Sequence, residues 1–207
     1  MSQHAEPTSF AFDADSLKLV EKAIAKYPEG RQMSAVKTLL DIAQRQIGRE
    51  TGSAWLPRAA MDVVAERLGA PPIRIYEIAT FYTMFNLEPV GKYHLQICTT
   101  TPCWLRGSDD IVSACKTASG IKNFGETSAD GLFTLKEVEC LGACVNAPMM
   151  QVNDDYFEDL DAAQVKALIE DLKAGKPLPE AGSLGGRAST APAPGQTTLV
   201  SAPGSAE

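Results

Sequence analysis

Four cysteines in two close pairs constrain this chain more than anything else in it. Cys98 and Cys103 are separated by four residues and Cys140 and Cys144 by three, with 36 residues between the pairs. Two thiolates that close in sequence can grip one iron, and two such grips can hold a binuclear centre. Spacings this short also place each pair in a loop or at a helix end, where free backbone N–H groups can point at sulfur. The first reading is a four-thiolate [2Fe-2S] centre, and hence an electron carrier.

Other uses of the same thiols stand beside it. A structural zinc also accepts four thiolates at spacings of two to four, although neither pair shows the two-residue knuckle of zinc ribbons. Disulfides need an oxidising compartment, and Met1 to Phe10 is polar with no apolar export core. Five cysteines would also leave one unpaired. A thioredoxin-type redox pair requires Cys-x-x-Cys, which is missing. Two-histidine ligation, as in a Rieske centre, has only the isolated His4 and His94 to draw on.

Composition narrows the class further. A length of 207 residues with 44% apolar residues suits one large soluble domain or two small ones. No apolar run approaches 18 residues, so direct membrane insertion is not expected. A net charge of −7, with no stripe of Lys and Arg, argues against a nucleic-acid partner. Reduced cysteines point to a cytosolic or matrix-like setting.

Periodicity divides the chain into four stretches. Residues 1–12 read as a flexible start. From 13 to 88 the apolar spacing is helical. Ser16 is placed to cap a first helix, and Val36, Leu39, Leu40, Ala43 and Ile47 line a second that Gly48 would end. Pro57 opens a third helix running to Gly69, and Pro71-Pro72 a fourth. Four amphipathic helices with short links predict a helical bundle. At Tyr93, Leu95 and Ile97 the period becomes two, which predicts a strand delivering Cys98. One helix follows from about Cys103 to Ala118, then a strand over Phe133–Val138 leading to Cys140, a hairpin around Asn153-Asp154, and a helix over 162–172. Residues 89–175 thus form a β-α-β-β-α layer, and the fold class is α+β. Residues 176–207 are rich in Ala, Pro, Gly and Ser and read as a low-complexity tail, mobile unless a neighbouring subunit covers Leu184, Leu199 and Val200.

Other residues carry weaker expectations. Cys115 shares an apolar helix face with Ile111, Val112 and Ala118, and reads as a buried core thiol. Gly142 and Ala143 let the backbone wrap tightly between Cys140 and Cys144, and Pro102 starts a helix before Cys103. Trp104 either shields the centre or packs, and Arg106 is expected in solvent. Phe81, Tyr82, Met84 and Phe85 read as apolar core or a partner face. His94 reads as a satisfied structural histidine. Asp109-Asp110 and Asp154-Asp155 read as solvated turn or helix-start charges.

Two runs carry a family resemblance: Cys98-Thr-Thr-Thr-Pro-Cys103, and Glu139-Cys140-Leu-Gly-Ala-Cys144-Val-Asn-Ala-Pro148. They resemble the thioredoxin-like [2Fe-2S] ferredoxins. With the helical stretch in front and Ala79–Phe85 at its end, the chain looks like the NuoE-type subunits of respiratory complex I. The resemblance spans roughly Ser16 to Leu172. It implies one [2Fe-2S] cluster on Cys98, Cys103, Cys140 and Cys144. It also implies a partner subunit that holds FMN and NADH, with other peripheral-arm subunits alongside, in an NADH:ubiquinone reductase on the cytoplasmic side of a bacterial inner membrane. The cluster would lie near FMN but off the main electron path. No dinucleotide fingerprint G-x-G-x-x-G is present, so no NADH oxidation is expected from the chain alone. Two alternatives remain: the diaphorase subunit of an NAD-linked hydrogenase or formate dehydrogenase, and a zinc-stabilised interaction module.

Overall fold

The computed structural model describes residues 6–187, 190, 191 and 195. The chain divides into two compact units, Met1–Lys92 and Tyr93–Glu207.

The first unit is helical. It contains α1 (Ala14–Ile24), α2 (Val36–Thr51), α3 (Arg58–Leu68) and α4 (Pro72–Phe81), with a 3-10 turn before α2. Leu39, Leu40, Leu56, Val64 and Ile75 are almost wholly buried in one shared core. Each such side chain contributes roughly 1.5–3 kcal/mol on leaving water.

Three local expectations change here. Asp13, not Ser16, caps α1, accepting from the Ser16 N–H at 2.6 Å. Helix α2 runs through Gly48 and ends at Gly52. Gly48 answers a close approach instead, since a Cβ there would lie 3.0 Å from that of Ala54. Residues 6–12 are also held, and only residues 1–5 of the supposed flexible start lie outside the described residues. The buried Gln46 accepts from the Asp13 N–H at 3.0 Å and donates to the Ala11 carbonyl at 2.9 Å. Phe10 and Phe12 meet edge-to-face and pack on the helical core.

The second unit is a sheet with helices. Its elements are β1 (Tyr93–Cys98), α5 (Thr101–Leu105), α6 (Ser108–Ser119), β2 (Phe133–Val138), β3 (Met150–Val152), β4 (Asp155–Glu158), α7 (Ala162–Lys173) and β5 (Gly182–Ser183). The strand order is β2-β1-β3-β4-β5. β1 pairs parallel with β2, β3 runs antiparallel to β1 and to β4, and β5 lies parallel to β4. Period-two alternation sends Leu95, Ile97, Phe133, Leu135 and Phe157 into one core with Ile111, Val165 and Ile169 of α6 and α7. Cys115 is fully buried in that core. Asp161 caps α7 through a reciprocal capping box with Gln164.

The expected single helix from Cys103 to Ala118 is two helices, because the chain turns at Arg106–Gly107. The start of the supposed tail also departs from expectation. Gly182–Ser183 extend the sheet, and Leu178 and Leu184 pack on this unit's own core rather than waiting for a partner. Leu199 and Val200 lie outside the described residues.

Candidate metal centre

Strand alternation that points Leu95 and Ile97 into the core turns Cys98 to the other face of the sheet. There it is buried with Cys103, Ala147 and Met149, and Leu141, Ala143 and Tyr156 pack around them. Thr100 stands at the N-cap position of α5 without a side-chain capping bond, Pro102 lies in its first turn, and Cys103 follows on the inner side. Proline at that position forgoes a hydrogen bond the helix could not make in any case. Cys140 and Cys144 come from the loop between β2 and β3. That loop turns at Gly142, whose φ of +88° suits glycine, and includes a short 3-10 turn at Cys144–Asn146.

The four thiols form two touching pairs. The sulfurs of Cys140 and Cys144 are 3.4 Å apart. Cys98 and Cys103 share a hydrogen bond, and Cys144 is near enough to influence both electrostatically. The pairs differ in exposure: Cys98 and Cys103 are buried, Cys144 is half-buried and Cys140 is exposed. Among the described residues no three His, Cys, Asp or Glu side chains converge as ligands of a single ion would. A binuclear cluster asks less, since each iron takes two protein thiolates and completes its shell with sulfide.

The surroundings favour charge on Cys98. Burial pushes its thiol up, but the Thr100 and Leu141 N–H groups and the Cys103 thiol outweigh burial and bring it below its ordinary value, with a smaller pull from the nearby Thr100 hydroxyl. The Thr100 hydroxyl completes no hydrogen bond of its own although its oxygen is buried. Burial, followed by the Cys98 neighbour, pushes Cys103 up to about 12, against the pull of the Met149 N–H. Cys144 is raised by its bond with Cys140 and by burial. Buried N–H donors and a spare hydroxyl aimed at soft thiolates fit an anionic iron–sulfur group.

The sequence model of the thioredoxin-like [2Fe-2S] ferredoxins matches residues 20–173. The chain belongs to that family. A [2Fe-2S] cluster is the family's cofactor. Among relatives, the E-type subunit of the NADH-quinone oxidoreductase of Rickettsia conorii is 55% identical over 80% of this chain and 96% of its own. The mitochondrial NADH dehydrogenase [ubiquinone] flavoprotein 2 of Dictyostelium discoideum is 48% identical over 96% of this chain and 77% of its own. Among solved structures, an NAD+-reducing [NiFe]-hydrogenase in the air-oxidised state superposes with a TM-score of 0.55 at 26% identity. That match covers 67% of this ferredoxin and 23% of the hydrogenase chain.

Of the singled-out residues, the structure pairs Cys98 with Cys103 and Cys140 with Cys144, sets Cys144 near enough to the first pair to influence it, and keeps Cys115 apart in the core, where burial lifts its thiol to about 12. Trp104 and Leu105 are exposed beside Cys103, as is Val145 beside Cys144. Arg106 is exposed, as expected, with its Nε 3.5 Å from the Ala147 carbonyl. Phe85 is core, whereas Phe81 and Met84 are exposed. His94 is buried with no hydrogen-bond partner for its Nε2, contrary to the expectation of a satisfied side chain.

Sequence reasoning missed Thr100, Asn146, Tyr156 and Asp159. Only Thr100 carried a usable signal, a helix-capping residue two places before Pro102. The Tyr156 hydroxyl donates to the Leu141 carbonyl at 3.0 Å and so steadies the loop that supplies an N–H to Cys98.

Proposed function

We propose that this ferredoxin is the [2Fe-2S] electron-transfer subunit of an NADH-quinone oxidoreductase, with Cys98 and Cys103 on one iron and Cys140 and Cys144 on the other. The observation that carries the assignment is the meeting of two thiol pairs at one end of the sheet, with backbone N–H groups already turned toward their sulfurs. When bound, the cluster supplies one-electron transfer. The protein's share is to fix four thiolates, exclude water from the Cys98 side and donate hydrogen bonds that temper the negative charge. No side chain has to act as acid, base or nucleophile. In this reading α1–α4 form a bundle that serves assembly, and an FMN- and NADH-binding subunit of the peripheral arm meets the chain on the cytoplasmic side of the membrane. Attachment to the membrane comes through other subunits in this reading, and among the described residues no helix is long and apolar enough to cross a membrane.

The likeness to an NAD+-reducing hydrogenase favours one other reading, a diaphorase subunit of a hydrogenase. Co-purification from the native cell separates the two, since membrane-arm subunits accompany the first and hydrogenase subunits the second. The cluster itself is tested by a visible spectrum with iron and sulfide analysis of the purified chain. Two irons and two sulfides per chain with visible absorbance support it, while a colourless zinc protein refutes it.

A further inference from the structure

Beyond residue 173, where the family match ends, the chain does not leave the domain. It returns as β5 along the outer edge of β4, with the Leu184 N–H on the Glu158 carbonyl at 3.0 Å. The Gln164 side chain donates to the Leu184 carbonyl at 2.9 Å. The centre of this strap is Asp159. Its carboxylate accepts from the Ser183 hydroxyl at 2.6 Å and from the Arg187 guanidinium at 3.3 Å. The same hydroxyl accepts from the Arg187 N–H at 3.2 Å, which closes the ring of contacts. The strap fits tightly, since a Cβ on Gly185 would lie 3.0 Å from that of Asp159.

Asp159 is itself unusual, with a φ of +50° in the left-handed region that non-glycine residues avoid unless their surroundings hold them there. That backbone turn faces the second cysteine pair. The Asp159 N–H donates to the Asn146 carbonyl at 2.8 Å, and the Leu160 N–H to the Pro148 carbonyl at 3.1 Å. The Asn146 amide donates to the Glu158 carboxylate at 2.6 Å. Asn146 is buried and stands two residues after Cys144. The loop's regular structure is one short 3-10 turn, and its other side-chain anchor is the Tyr156 hydroxyl on the Leu141 carbonyl.

We propose that Ser183 and Arg187, acting through Asp159, are positioning residues that hold the Cys140–Cys144 loop in its cluster-binding shape. This rests on the assignment of Cys140 and Cys144 as iron ligands. The ion pair is partly buried, with side-chain exposures of 23% for Arg187 and 15% for Asp159, so removing Arg187 leaves the Asp159 carboxylate with the Ser183 hydroxyl alone on the strap side.

The test uses the full-length chain carrying its cluster and compares Arg187→Ala, Arg187→Lys and Ser183→Ala with the wild type. Lys176→Ala, which breaks an exposed ion pair with Asp171, serves as the control. Three quantities are read: bleaching by an iron chelator, the visible circular dichroism of the cluster, and amide exchange at Asp159 and Leu160. Loss of a charge-assisted, partly buried contact should speed exchange and bleaching by about tenfold in Arg187→Ala and alter the dichroism. Arg187→Lys should recover part of the effect, and the control should match the wild type. If Arg187→Ala fails to fold, Ser183→Ala carries the same comparison. A lower melting temperature with unchanged dichroism, bleaching and exchange would make the strap merely structural and overturn the proposal. A wild-type chain that never takes up iron and sulfide overturns the function reading instead, and amide exchange then decides the strap alone.

Discussion

Thr100→Val isolates one hydroxyl beside the cluster site. Valine keeps the shape of threonine and the Thr100 N–H, so only the side-chain donor toward Cys98 is lost. Four thiolates, two ferric ions and two sulfides sum to about −2, and to about −3 after reduction. A hydrogen bond to a charged group is worth about 1.5–3 kcal/mol, and it strengthens by at most about half when that charge grows. The difference between oxidation states is therefore about 1 kcal/mol, or about 40 mV for a one-electron couple. Reduction adds the charge the donor stabilises, so the potential should fall in Thr100→Val and stay near wild type in Thr100→Ser. The apo chain should respond oppositely. Its buried hydroxyl completes no hydrogen bond, so valine should leave thermal stability unchanged or raise it. A redox titration followed by electron paramagnetic resonance reads the potential, and thermal denaturation of the apo form reads the stability. A potential within about 10 mV of wild type, or a rise, would refute the argument, because either is too small or of the wrong sign for a lost donor.

The other tests are simpler. Cys140→Ser should abolish or damage the cluster, whereas Cys115→Ser should keep full iron content. The buried serine hydroxyl would cost the fold about 1–3 kcal/mol if it finds no partner, and normal iron in Cys140→Ser would break the ligand assignment. His94 carries an acid liability: burial first, and the nearby Lys136 charge second, lower it from 6.5 to about 4. Above pH 6.5 the ring is neutral in both folded and unfolded chains. Between 6.5 and 4 only the unfolded chain gains the proton, so stability falls by an amount on the order of 3 kcal/mol. His94→Gln should flatten that part of the denaturation profile, and an unchanged profile would remove His94 as its source. The purified chain with its cluster should not oxidise NADH in the presence of an artificial acceptor, and rapid turnover free of flavoprotein would contradict the assignment of FMN to a partner.

What could be read from residues alone follows the range of the forces involved. The alternation of Tyr93, Leu95 and Ile97 is a local pattern that survives folding, and so are the cysteine spacings. Pro57 and Gly69 bracket α3 by chemistry internal to the helix ends. Gly48 misled because its reason is not local: the chain returns through Ala54 after Gly52, and the helix surface needs the room. The turn at Arg106–Gly107 breaks the apolar spacing with the run 106–110, which has no apolar side chain, and Gly107 takes a φ of +96° there. β5 has two residues and no side-chain signature, and its place depends on backbone pairing with β4. The N-terminal stretch looked free because its anchor, Gln46, is a polar residue whose burial makes sense only once its bonds to Ala11, Asp13 and Glu50 are seen.

The two halves of the cysteine site reach order by different routes. Cys98 and Cys103 sit on β1 and α5, where the ladder to β2 and β3 and the helix itself already fix the backbone, so burial and sulfur geometry come with the fold. Cys140 and Cys144 sit on a loop that has no ladder. Its carbonyls at Leu141, Asn146 and Pro148 are satisfied by Tyr156, Asp159 and Leu160 from β4 and the turn behind it. The exposed half is thus held by side chains and a strained turn rather than by regular structure, and it is the half nearest solvent. An electron carrier needs one edge close to its partner, and this arrangement leaves that edge open while its rigidity is supplied from behind. The strap at Ser183 and Arg187 completes that support, which accounts for ordered structure in a segment whose composition alone would not fold.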